Sequence, residues 1–175
     1  MRVSSHLTAV VAGLTLTALQ LAMPAQAQEI KRAGVPGSNF PISTTVSVPA
    51  SARITFVSGN LADVADPAAP KGSYEAYGNT ETQVTSILNK VSKLLAADGL
   101  TLGDVVKVNV FMVGDPKHDG KMDFAGLNAA YGKFFGSATQ PNKPVRTALQ
   151  VAALPMPGGL VEIEFTAAKV DAPAK

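Results

Sequence analysis

The sequence has no cysteine and no tryptophan, two histidines, and aromatic side chains at only 6% of positions. Without cysteine there can be no disulfide framework, thiolate nucleophile, iron–sulfur cluster or Cys-ligated zinc. An excess of one charge is also missing. Fifteen basic side chains stand against 13 acidic ones in 175 residues, which gives no basic footprint of the kind a nucleic-acid binder shows. The longest apolar stretch, Leu7 to Met23, runs 17 residues and contains Thr8, Thr15, Thr17 and Gln20. That is short and polar for a membrane span of ~20 residues. What is present is a chain 46% hydrophobic, too apolar for disorder and of a length that suits one globular domain.

The apolar stretch follows Arg2 and precedes Ala25-Gln26-Ala27, the small–x–small pattern a signal peptidase reads. Residues 1–27 are therefore expected to be a signal peptide removed before Gln28, leaving a periplasmic or secreted protein with no stable membrane association. An uncleaved anchor is the competing reading. The mature chain, Gln28 to Lys175, then has 148 residues and His118 as its one histidine. Two-histidine metal sites and His–His acid/base pairs are excluded within a single chain. A domain of this size buries roughly 70% of its unfolded surface and needs no metal or disulfide staple.

Residues 28–41, with Gly34, Pro36, Gly37 and Pro41, read as an irregular lead-in. Thr44 to Val48 and Arg53 to Ser58 are β-branched-rich runs separated by Pro-Ala-Ser-Ala and read as a hairpin. A loop with Pro67, Pro70, Gly72 and Gly78 fills 62–79. Val84, Ile87, Leu88, Val91, Leu94 and Leu95 recur at helical spacing, with Asn79 or Thr80 as cap and Gly99 as stop. A second helix is expected from about Asp123 to Phe135, burying Phe124, Leu127, Tyr131, Phe134 and Phe135, and Gly136 ends it. Strands are expected at Asp104 to Val113, Val145 to Ala152 and Leu160 to Lys169. The order ββαβαββ predicts an α+β sandwich, a mixed sheet with two helices on one face. No third helix exists for the other face, and oligomerisation would cover it. Residues 42–170 form this single domain and 171–175 a C-terminal tail.

Familiar catalytic signatures fail. Gly114 to Lys121 has five residues between its glycines, and Met122 replaces the Ser/Thr of a phosphate loop. As a calcium loop it has Lys117 at a ligand position and Gly126 in place of the bidentate Glu. It reads as a solvated loop and His118 as a surface histidine. Chemistry must then run on carboxylates, hydroxyls, Arg/Lys or backbone groups. In Val145 to Val151, alternation places Arg146, Ala148 and Gln150 on one face. In Val161 to Phe165 it places Glu162 and Glu164 together. A strand arginine can grip a carboxylate ligand, and a strand glutamate can hold a water. Spacing alone favours the plainer alternative, a cross-strand ion pair on a solvated face.

At these residues the sequence resembles the RidA (YjgF/YER057c) family of enamine/imine deaminases. The resemblance spans about Phe40 to Val170. It rests on Phe56-Val57-Ser58-Gly59, Leu100 to Lys107, Met122-Asp123-Phe124 through Asn128-Ala129-Ala130-Tyr131, Pro144-Val145-Arg146, and Leu154-Pro155 followed by Val161-Glu162-Ile163-Glu164. It implies a chorismate-mutase-like fold and a homotrimer with ligand clefts between subunits, within an exported subgroup. It further implies Arg146 as the carboxylate-binding and catalytic arginine and Glu162 as the water-positioning residue. Ser58, Gly59, Asn128 and Pro155 would be further pocket contacts. The implied reaction is hydrolysis of 2-aminoacrylate or 2-iminobutanoate type species to 2-keto acids and ammonia, with no metal or organic cofactor. The implied partners are a small carboxylate-bearing imine or keto acid and other copies of the chain, not nucleic acid. A non-catalytic small-carboxylate-binding or holdase-like module is the alternative. The RNase activity attributed to some relatives ranks below both, because near-zero net charge and few stacking aromatics suit RNA poorly. Ile42 stands where many members carry a tyrosine, and Ala148 where they carry a cysteine.

Overall fold

The computed structural model describes residues 29–171. The signal peptide expected at 1–27 and the tail after residue 171 lie outside the described residues. The element order is β1 (Lys31–Ala33), β2 (Thr45–Ser47), β3 (Arg53–Leu61), α1 (Tyr74–Tyr77), α2 (Thr80–Ala97), β4 (Val105–Met112), α3 (Phe124–Phe134), β5 (Val145–Gln150) and β6 (Val161–Lys169). Four strands form the main sheet in the order β3-β6-β4-β5, with β4 and β5 parallel and the other pairs antiparallel. This is the mixed α+β arrangement that the element order predicts.

Both long helices form where apolar periodicity puts them. Asn79 caps α2 by accepting the Thr82 amide at 2.9 Å. Past its end, Gly99 takes φ 68° and the Leu100 amide reaches back to the Leu95 carbonyl at 2.9 Å. Val84, Ile87, Leu88, Val91 and Leu95 are buried against Val108, Val110 and Ile163 of the sheet's inner face in one core cluster with Leu127, Tyr131 and Phe135 of the α3 segment. Leu94 is 49% exposed and Phe124 40% exposed, so these two leave the predicted stripes. A helical stripe about 100° wide has room for some of its flanking positions to meet solvent.

Gln83 ties α2 to the chain entering β6. Its amide donates to the carbonyls of Gly78 at 3.0 Å and Gly158 at 3.1 Å, and its Oε1 accepts the Leu160 amide at 2.8 Å. The side chain is fully buried.

Three local expectations are corrected. The run at 44–48 does not pair with the run at 53–58. Instead β2 pairs with β1, while β3 pairs with β6. The lead-in therefore holds a strand. β-Branched composition marks a strand but not its partner, and here long-range bonds choose it. The Arg32 guanidinium donates to the carbonyls of Val105 at 2.9 Å, Lys143 at 3.1 Å and Gly103 at 3.1 Å. Ser43 adds a hydroxyl bond to the Lys143 carbonyl at 2.6 Å. Within the expected loop, Ser73 caps the single turn of α1.

Among the described residues, no helix covers the outer face of the sheet. Phe56 is 80% exposed there and Leu149 41% exposed. A depression of roughly 420 Å³ lies on this face, lined in part by Phe56, Ser58, Lys107, Asn109, Glu164 and Thr166.

Candidate functional site

Strand register fixes where the charged side chains go. Val108, buried on the helix side, pairs with Arg146 of β5 and Phe165 of β6. Arg146 therefore points under the helices. Phe111 pairs with Glu162 and Asn109 with Glu164. Those carboxylates lie on the outer face, where Asn109 donates to Glu164 at 3.4 Å. The solvated cross-strand ion pair favoured by spacing is thus corrected: Arg146 and Glu162 occupy opposite faces of one sheet. Alternation assigns residues to faces without saying which face is packed.

Around Arg146 the sequence of α3 builds a wall. Phe124, Asn128 and Tyr131 follow i, i+4, i+7 spacing and share one side of the helix. Arg146 Nη2 donates to Asn128 Oδ1 at 2.7 Å. The guanidinium carbon lies 4.5 Å from the Tyr131 ring centroid and 5.6 Å from those of Phe40 and Phe124. Such cation–π contacts hold the guanidinium without neutralising it. No carboxylate pairs with Arg146 among the described residues, and its Nη1 is buried without a hydrogen-bond partner, as is the Tyr131 hydroxyl. Burial pushes the arginine below its ordinary pKa, an effect that Tyr131 opposes, and pushes the Tyr131 phenol up. A buried donor left open costs roughly 1–3 kcal/mol, more when charged. An anion here would remove that cost and supply the missing charge. The aromatic ring around Arg146 is absent from the sequence-based site, although the spacing of Phe124 and Tyr131 about Asn128 carries its signal.

The other predicted residues gather elsewhere. Ser58 is exposed and lines the outer depression. Beside it, a Cβ on Gly59 would run into the Glu162 carboxylate, so only glycine leaves that carboxylate its present place. Pro155 is exposed in the connection from β5 to β6, apart from both groups. Ile42 is partly buried and packs against the core. The structure thus brings together Arg146 with Asn128, and Glu162 with Gly59, but does not join the two sets within one chain.

A family model described as Endoribonuclease L-PSP matches residues 38–169. The chain belongs to the RidA (YjgF) family. Protein DfrA of Myxococcus xanthus is 32% identical over 127 residues, covering 73% of this chain and 84% of its own. The Escherichia coli protein named "Putative reactive intermediate deaminase TdcF" is 32% identical over 102 residues, covering 58% of this chain and 69% of its own. Among solved structures, a Rid family protein of unknown function from Yersinia pestis has a TM-score of 0.57 at 26% identity, covering 75% and 89% of the two chains. The fold is accordingly the chorismate-mutase-like α+β fold of the RidA family.

Proposed function

We propose that the protein hydrolyses small 2-imino acids, formed from enamines such as 2-aminoacrylate, to 2-keto acids and ammonia. The observation that carries this reading is the buried Arg146 donor without a partner. A substrate carboxylate would take it, entering as the exposed Phe40 ring swings aside, while Asn128 holds the guanidinium from behind. Fixing the carboxylate fixes the C2 carbon beside it. Water then adds across the C=N bond, with Glu162 taking the water's proton as general base. Return of that proton to the nitrogen gives a neutral carbinolamine. Its hydroxyl proton then passes to the nitrogen as the C=O bond forms and the C–N bond breaks, releasing the keto acid and ammonia. No cofactor enters the scheme.

Because Arg146 and Glu162 lie on opposite faces of the sheet, this scheme needs the Glu162 of a neighbouring copy, as in a homotrimer with clefts between subunits. The bare outer face, with Phe56 and Leu149 exposed, is suited to packing against other copies. The same separation supports a second reading, in which a chain that brings no glutamate to its arginine binds small carboxylates without turning them over. Wild-type turnover decides between them, and mixing tests the shared cleft. In an assay with 2-iminobutanoate generated in situ, Arg146→Ala and Glu162→Gln should each lose acceleration. Refolding them together should restore part of it, because some mixed clefts contain both native residues. A wild-type rate equal to the spontaneous one, with keto acid still bound, favours the binding module, whereas failure of the mixture to recover refutes a cleft shared between copies.

Gly59→Ala tests the glutamate without removing it. The added methyl displaces the Glu162 carboxylate, so kcat should fall by roughly 10²-fold or more, the scale of general-base contributions. KM should change little, since Arg146 is untouched.

We also propose export, with cleavage before Gln28. The intact mass of protein recovered from the periplasm or medium should begin at that residue, and a mass that includes Met1 would refute it.

A further inference from the structure

The segment between β4 and α3, which matches neither phosphate-loop nor calcium-loop spacing, is not simply solvated. Asp115 starts a 3-10 turn at Pro116–His118, accepting the Lys117 amide at 2.8 Å through Oδ1. Asp123 caps α3, accepting the Gly126 amide at 2.8 Å, also through Oδ1. The two aspartates are only 4% and 9% exposed. His118 reaches between them, its Nδ1 3.1 Å from Asp115 Oδ2 and its Nε2 3.8 Å from Asp123 Oδ1. Among the described residues, no other cationic side chain is in ion-pair reach of either aspartate. Two buried carboxylates therefore share one imidazole, whose side chain is 49% exposed. Even a protonated ring leaves one buried carboxylate with backbone amides alone for partners and no cation of its own, an arrangement that a bound cation would stabilise.

We propose that Asp115, His118 and Asp123 bind a divalent transition-metal cation, with Zn²⁺ the best fit. One ligand atom from each of the three lies within 4.8 Å of the others. A tetrahedral Zn²⁺ holds its ligand atoms about 3.4 Å apart, given metal–ligand distances of about 2.0–2.2 Å. Closing that difference takes rotation of the half-exposed imidazole together with a shift of the two carboxylates toward the ion. Asp115 keeps Oδ1 on the Lys117 amide, an outer contact that orients the carboxylate, and turns Oδ2 toward the imidazole, whereas Asp123 faces the imidazole with Oδ1, the oxygen that also accepts the Gly126 amide. One nitrogen and two oxygens suit Zn²⁺ better than Mg²⁺, which prefers oxygen alone. Water would fill the fourth position.

The site would stiffen the Arg146 wall from behind. Asp123 is the cap of α3, and Phe124, Asn128 and Tyr131 follow it on that helix. Tying Asp123 to the preceding loop fixes the end of the helix that carries these groups. This role does not depend on whether imines are substrates.

The full chain, stripped of metal by a chelator and dialysed, is titrated with Zn²⁺ in a calorimeter, in a His6→Ala background so that His118 is the only histidine. One Zn²⁺ per chain is expected, with a rise in Tm on saturation. Asp115→Asn preserves the bond to the Lys117 amide but removes the anionic ligand, and His118→Ala removes a half-exposed ring. Each should weaken binding by at least about tenfold. Each should also abolish the rise in Tm. Absence of Zn²⁺ uptake by the parent, or affinity in both variants equal to the parent's, overturns the proposal. So does equal uptake of Mg²⁺, since it would leave the imidazole no role.

Discussion

Arg146→Ala is expected to reduce kcat/KM toward 2-iminobutanoate by roughly 100- to 10,000-fold and to weaken keto acid binding to a similar degree. Two charge-assisted hydrogen bonds contribute about 1.5–3 kcal/mol each, and every 1.4 kcal/mol is a factor of ten. Arg146→Lys should recover little. An ammonium cannot form two parallel bonds to a carboxylate while also holding Asn128 and lying against Tyr131. Stability should move the other way. In the free protein Nη1 is buried without a partner, so Arg146→Met removes a desolvated charge and retains most of the packing against Phe40, Phe124 and Tyr131. Replacing buried charges by apolar groups of similar volume is often neutral or stabilising. A Tm equal to or above wild type, together with lost keto acid binding, would show a residue kept for its ligand. A fall of many degrees would instead show that the guanidinium holds the structure together.

The parts of this fold visible in the sequence are those with long repeats of a single period. The stripe from Val84 to Leu95 and the alternation through β4 and β6 each involve many side chains, and no one of them decides the outcome. β1 has three residues and no period to read. Its existence depends on Arg32 meeting carbonyls more than 70 positions away, a contact no local pattern encodes. The site was legible only in part for the same reason. Alternation correctly groups Arg146 with Ala148 and Glu162 with Glu164, yet charged residues on a strand ordinarily mark the wet face. In β5 that inference fails because Asn128 and three aromatic rings receive the arginine. The small side chain of Ala148, which packs partly buried against the core, is the trace in the sequence of a helix lying over that face. Asp115 and Asp123 were hidden differently: among so many polar neighbours, nothing local distinguishes a buried aspartate from a solvated one.

Gln83→Leu is expected to be the most destabilising of the conservative substitutions in the core. The volumes are similar, so the loss is polar rather than a cavity. Leucine would leave the Leu160 amide and the Gly78 and Gly158 carbonyls without their present partner. Each abandoned buried group costs about 1–3 kcal/mol, and those nearer the surface recover some of it from water. A total of about 3–5 kcal/mol is a large part of the 5–15 kcal/mol that holds a typical domain folded. At roughly 2–4 °C per kcal/mol for a chain of this size, Tm should fall by about 10–15 °C, and the urea midpoint should fall with it. Gln83→Glu separates the contributions. It keeps an acceptor for the Leu160 amide but turns an anion toward two carbonyls, so it should cost at least as much at neutral pH. A loss under about 1 kcal/mol for leucine would mean that water enters and replaces the amide. The consequence reaches the site, because Leu160 stands two residues before Glu162. Loosening that anchor frees the start of β6, so activity should decline at temperatures well below the melting transition, with kcat falling before keto acid binding at Arg146.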